Sequence, residues 1–124
     1  MKLIDTSVAV DHLRGHPPAT DLLHALLDEG EATVSSELVR FELLAGTRPA
    51  EADAVEAFFA TLAWVPVTEA VAREGGALAR RYRGSHEGID DVDYLIAATA
   101  RILEAELTTN VRHFPMFARL RPPY

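Results

Sequence analysis

Apolar positions recur along the chain with two periods, and their alternation lays out the elements. Residues 2–4 read as a short strand near the N-terminus. Asp5-Thr6-Ser7 then supplies residues of the helix-capping type, and 8–13 reads as a helix broken by Gly15-His16-Pro17-Pro18. Leu22, Leu23, Leu26 and Leu27 share one face of a second helix over 19–29, which Gly30 stops. A strand over 32–34 precedes Ser35-Ser36, the cap of a third helix ending near Gly46. Pro49 and a Glu/Ala-rich stretch open a fourth helix over 51–62, and the β-branched run 63–67 predicts a third strand. A fifth helix over 69–83 leads through a loop at 84–88 to a sixth, which starts at Asp90-Asp91 and runs to about Leu103. Leu107-Thr108-Thr109 forms a fourth, short strand, and the proline-bearing tail 114–124 is expected to be irregular.

Strands that alternate with helices imply a parallel sheet covered on both faces, an α/β fold. Functional groups in such sheets lie beyond the carboxyl ends of the strands. That directs attention to Asp5, to Ser35 onward and to Thr108 onward. No repeat, linker or low-complexity segment divides the chain, so 124 residues predict a single domain, 1–124.

Composition narrows the chemistry. The formal charge of −7 excludes a generic basic nucleic-acid coat protein. It leaves open nucleic-acid chemistry at an acidic metal site, where the cation reverses the local sign. With no cysteine, disulfides and thiolate metal sites are excluded. A hydrophobic share of 48% beside 25% charged residues is that of a globular protein. No apolar run approaches the roughly 18 residues that span a bilayer. Asp5 also interrupts any signal-peptide core, so no membrane association and a cytoplasmic location are expected.

Three acids stand out. Asp5 lies where the first strand meets the first helix, a position that also suits a plain N-cap. On the third helix, at about 100° per residue, Glu42 falls inside an arc formed by Leu38, Val39, Phe41 and Ala45, whereas Arg40 falls outside it. A carboxylate on an inward stripe is costly unless it pairs, reaches water at the stripe's edge or binds a cation. Asp93 sits in the first turn of the sixth helix. Asp90 and Asp91 are accounted for by the helix dipole, but Asp93 adjoins the apolar face made by Val92, Leu95, Ile96, Thr99, Ala100 and Leu103. Thr108-Thr109-Asn110 ends the last strand, where Asn110 either caps a turn or offers its carbonyl oxygen to a metal-bound water. His113 reads as a surface or packing residue, and the other histidines lack metal-ligand spacing. Two like charges about 4 Å apart repel by roughly 4 kcal/mol at an effective dielectric near 20. A converged acidic cluster therefore needs protons or a cation. Oxygen ligands alone favour Mg2+ or Mn2+ over zinc, which points to hydrolysis of phosphodiesters by metal-activated water.

Four blocks occur in order: Leu3-Ile4-Asp5-Thr6-Ser7; Val34-Ser35-Ser36-Glu37 through Phe41-Glu42-Leu43-Leu44-Ala45-Gly46; Asp93-Tyr94-Leu95-Ile96-Ala97-Ala98-Thr99-Ala100; and Leu107-Thr108-Thr109-Asn110-Val111-Arg112-His113-Phe114. Together they resemble the PIN-domain ribonucleases, specifically the VapC toxins of bacterial VapBC toxin–antitoxin pairs. The resemblance implies a three-layer α/β/α sandwich with a central parallel sheet of four or five strands. It implies an endoribonuclease dependent on Mg2+, with Mn2+ as substitute. Asp5, Glu42 and Asp93 match the family's catalytic and metal-binding acids, and Thr6 matches a hydroxyl residue beside the first. Thr108 and Asn110 fall in the segment that carries a fourth acid in the family. Here that position is Asn110, an amide that weakens a second metal site and favours one firmly held ion. A homodimer and a VapB-like antitoxin are implied as partners, and the net negative charge suits a basic inhibitor segment. Arg40, Arg48 and Arg112 are candidates for contacts to RNA phosphates. Two other classes compete: a catalytically weak binding or regulatory module of the same fold, and an aspartyl-phosphate phosphatase. The second is disfavoured because Ser7 stands where haloacid-dehalogenase-type phosphatases carry a second Asp.

Overall fold

The computed structural model describes residues 1–111, 114–117, 120 and 122–124. Four parallel strands, β1 (Lys2–Ile4), β2 (Thr33–Ser36), β3 (Ala63–Val65) and β4 (Glu106–Thr108), lie in the order β3-β2-β1-β4. Six helices cover the sheet: α1 (Thr6–Leu13), α2 (Pro17–Asp28), α3 (Glu37–Gly46), α4 (Ala52–Phe59), α5 (Glu69–Tyr82) and α6 (Asp91–Leu103). The result is the expected α/β/α sandwich, with four strands among the described residues.

Both central strands are buried on both faces: β1 fills its positions with Leu3 and Ile4, and β2 with Val34 and the small buried hydroxyl residues Thr33, Ser35 and Ser36. Leu3 and Ile4 of β1 are fully buried, and Val8, Val39, Ile96, Ala97 and Leu107 pack in the same core. The register pairs Ile4 with Thr108 across β1 and β4, and Val34 with Ala63 across β2 and β3. β1 therefore delivers Asp5, β2 leads into α3 and β4 delivers Thr109 at one end of the sheet. Trp64 of β3 meets the rings of Phe58 and Phe59 edge-on, closing the far side of the core. α5 lies along α6, and a Cβ at buried Gly75 would stand 2.8 Å from a Leu95 methyl, so the missing side chain lets the two helices approach.

Several boundaries depart from the sequence reading. α1 begins at Thr6, two residues before the expected start. Ser35 and Ser36 belong to β2. Ser35 Oγ donates to the Ile4 carbonyl at 2.7 Å, while Ser36 both ends the strand and caps α3 by accepting from the Leu38 N–H at 3.0 Å. The expected 51–62 helix is a short 3-10 turn, Pro49–Glu51, followed by α4, which stops at Phe59. β3 ends at Val65, ahead of Pro66, which has no N–H to donate to a sheet ladder.

The inner stripe of α3 is also rotated from the expected one. Val39 and Leu43, one turn apart, form its buried face, whereas Phe41 is 63% and Leu44 49% exposed. Glu42 thus flanks the buried stripe rather than sitting at its centre.

Candidate active site

Asp5 holds the N-cap position of α1 with extended backbone (φ −80°, ψ 161°), yet its side chain caps nothing. The carboxylate is 4% exposed, and its Oδ2 accepts hydrogen bonds from Thr109 Oγ1 at 2.6 Å and Ser7 Oγ at 3.2 Å. Each of those hydroxyl oxygens accepts a backbone N–H in turn: Asn110 N–H on Ser7 at 3.0 Å and Val111 N–H on Thr109 at 3.0 Å. Each hydroxyl thus accepts from one amide and has its proton to direct at Asp5, and the two oxygens also lie 3.2 Å apart. The Asp5 N–H is satisfied by the Thr108 carbonyl at 3.0 Å, which fastens the head of α1 to the end of β4. Among the described residues Oδ1 receives no hydrogen bond, so one oxygen is pinned and the other remains for a ligand.

Glu42 reaches the same neighbourhood from α3. Thr6 Oγ1 donates to its Oε1 at 2.7 Å. Burial pushes its pKa above the ordinary carboxylate range; the Thr6 bond opposes that shift, while the charges of Asp5, Asp93 and Asp90 add to it. Asp93 arrives on the first turn of α6, half-buried, its N–H donating to the Asp90 side chain at 3.0 Å. Asp90 is therefore the true N-cap of α6, and exposed Asp91 pairs with Arg83. Asp5 and Asp93, remote from Glu42 in sequence, both lie near enough to raise its pKa at this end of the sheet.

Among the described residues, no three His, Cys, Asp or Glu side chains form a ready-made cage for a metal ion. The donor set nonetheless fits a hydrated hard cation. Mg2+ typically keeps several waters and binds through one or two carboxylates plus substrate phosphate. An open Asp5 oxygen beside a Glu42 whose charge is disfavoured by its acidic neighbours matches that requirement.

The other expected residues are placed as follows. Among the described residues the buried Thr108 side chain makes no hydrogen bond to an acid, and its contribution is the carbonyl that receives the Asp5 N–H. The Asn110 amide nitrogen turns away from the three acids and donates to Asp11 and Tyr124. Arg40 is held by Glu37 at 2.7 Å and stacks over Trp64 and Phe59 at 4.4 and 4.8 Å, so it works as a strut. Arg48 is 86% exposed and stands 3.7 Å from Glu51. Arg112 and His113 lie outside the described residues. Ser7 and Thr109, whose hydroxyls donate to the Asp5 carboxylate, are not among the expected site residues. The one available signal was register: pairing Ile4 with Thr108 sets Thr109 opposite Asp5.

A family model described as the PIN domain matches residues 2–120. The chain belongs to the PIN-domain family. Among its PIN-domain relatives, Ribonuclease VapC19 of Mycobacterium tuberculosis is 66% identical over the whole of both chains. Ribonuclease VapC10 of the same organism is 43% identical over all of this chain and 93% of its own. The PIN fold is matched at a TM-score of 0.81 and 22% identity by a chain of a toxin–antitoxin complex from Klebsiella pneumoniae, covering 100% of this chain and 98% of that one.

Proposed function

We propose that this PIN-domain protein is a divalent-cation-dependent endoribonuclease and the toxin of a type II toxin–antitoxin pair. The relatives named as VapC ribonucleases support the reaction class. The observation that supports the assignment to a site is the hydrogen bond from Thr6, the residue after Asp5, to Glu42 at 2.7 Å, with Asp5 and Asp93 both close enough to push the Glu42 pKa up. Asp5, Glu42 and Asp93 would hold Mg2+ or Mn2+. The bound cation supplies water activation and neutralises charge on the phosphate and the leaving oxygen. The protein's own part is orientation. Thr109 and Ser7 fix Asp5 through Oδ2, and Thr6 fixes Glu42 through Oε1. The burial of Asp5 limits the water that would compete for its oxygens, while Glu42 is half-buried at the edge of a groove.

A groove of about 310 Å³ runs from Glu42 between α1, α3 and α4, with Val10, Leu43 and Val55 on its walls and Arg14 and Arg48 among its lining residues. RNA phosphates engage Arg14 and Arg48 there. An antitoxin segment laid along the apolar walls, with a basic side chain at Glu42, inhibits by taking the place of both substrate and cation. The homodimer belongs to the same reading, and the exposed Phe41 and Leu44 of α3 offer it an apolar surface.

Incubation with single-stranded RNA in Mg2+ or Mn2+ tests the assignment. The parent should cleave and EDTA should stop it. Asp5→Asn and Asp93→Asn should each lose at least about a hundredfold in rate while keeping the parent's circular dichroism. Cleavage at the parent rate by either variant contradicts the assignment.

A further inference from the structure

Asn110 stands where the acidic form of the motif would carry a fourth carboxylate, and the structure gives it a different task. Ser7 and Asp11 lie four residues apart on α1 and so share one face. Asn110 spans both: its backbone N–H donates to Ser7 Oγ at 3.0 Å, and its Nδ2 donates to Asp11 Oδ2 at 2.5 Å. The same Nδ2 donates to the Tyr124 hydroxyl, and that hydroxyl donates to Asp11 Oδ2, so the three side chains close a ring. Both N–H bonds of the amide and both functions of the phenol are used. The Tyr124 ring rests 5.5 Å from that of His16, which places the phenol against the start of α2.

We infer that Tyr124 is a positioning residue for Asp5: with Asp11 it clamps Asn110, and the clamped 109–111 turn aims the hydroxyls of Ser7 and Thr109 at the carboxylate. Two consecutive amides of that turn, those of Asn110 and Val111, seat the two hydroxyls. Both hydroxyls meet at Oδ2, leaving Oδ1 presented to the site. Burial and the Asp11 carboxylate push the Tyr124 phenol up to about 12, so it remains a donor throughout the neutral range. The clamp also accounts for an amide at 110. An aspartate there would set a second carboxylate against Asp11 and remove both donors. This inference rests on the nuclease reading for its consequence, but the clamp itself is observable without RNA.

The test compares the parent with Tyr124→Phe, Asp11→Ala and Asp11→Asn. Kinetics on a short single-stranded RNA in Mn2+ and amide hydrogen exchange at Asn110 and Val111 are measured together. Tyr124→Phe keeps the ring and the fold. It should lose roughly 10–100-fold in kcat, the range for residues that orient metal ligands, with KM little changed. Exchange at the two amides should quicken about tenfold or more. Asp11→Ala should behave alike, and Asp11→Asn, which keeps an acceptor for both donors, should recover most of the loss. Parent kcat and parent exchange in Tyr124→Phe would overturn the inference, as would an Asp11→Asn no better than Asp11→Ala. If the parent cleaves no RNA, the nuclease reading fails and the exchange data decide the clamp: faster exchange in Tyr124→Phe supports it, and unchanged exchange overturns it.

Discussion

Glu42 carries the sharpest conflict between stability and chemistry. Its pKa is raised first by burial and then by Asp5, Asp93 and Asp90, with Thr6 only partly offsetting the shift. A carboxyl whose folded pKa exceeds its unfolded one binds protons more tightly when folded. Its ionisation therefore destabilises the metal-free fold fully above the raised value, and the penalty disappears as pH falls below the ordinary carboxylate range. Glu42→Gln should accordingly raise the melting temperature at neutral pH without metal, lose that advantage on acidification, and cut RNA at least about a hundredfold more slowly. A lower melting temperature at neutral pH contradicts this account. The three acids were legible as residues because each is a charge where the pattern asks for something else. Ser7 and Thr109 were not legible. Small hydroxyl residues are common at strand ends and caps, and choosing Thr109 over Thr108 depends on which way the strand's final pleat turns. Asp5 looked equally like a cap, and only its bonds to Ser7 and Thr109 decide against that role.

Neighbouring glycines on α5 give a contrast at the scale of elements. Gly75 is buried against Leu95, while a Cβ on exposed Gly76 would meet nothing within 4 Å. Gly76→Ala should stabilise the protein by about 0.5–1 kcal/mol through helix propensity alone. Gly75→Leu should destabilise it by about 1–3 kcal/mol by forcing α5 from α6, and because α6 carries Asp93, cleavage should fall as well. Urea unfolding of both variants checks the pair, and equal effects would contradict the packing described. Element types and order follow from periodicity, because alternating strands and amphipathic helices leave few ways to bury both faces of a sheet. Boundaries fail where a residue serves two elements. Ser36 ends β2 and caps α3, and Glu51 closes a 3-10 turn just before α4 begins. The orientation of α3 differs from its hydrophobic pattern because Phe41 and Ala45 are apolar yet face outward, so hydrophobicity alone centres the stripe too far round.

Across the whole molecule, topology brings acids scattered in sequence to one end of the sheet. The order β3-β2-β1-β4 places β1 centrally, so the elements that follow β2, β1 and β4 open at one end of the sheet. A net charge of −7 over the whole chain disfavours a polyanion unless a cation intervenes, and it favours a basic inhibitor. The parallel sheet, the helix order and the end that bears the acids could all be read from the sequence. The groove beside Glu42 and the Asn110 clamp could not, since both arise from contacts between distant segments. The central claim is that Asp5, Glu42 and Asp93 form a centre for a divalent cation. Its most direct test is the loss of the free Mn2+ electron paramagnetic resonance signal on adding protein, for the parent and for Asp5→Asn. The account predicts uptake of about one firmly held ion by the parent, since Asn110 adds no carboxylate and its amide is engaged by Asp11 and Tyr124, and little uptake by the variant. Equal uptake by both would show that the ion binds elsewhere and would contradict the account.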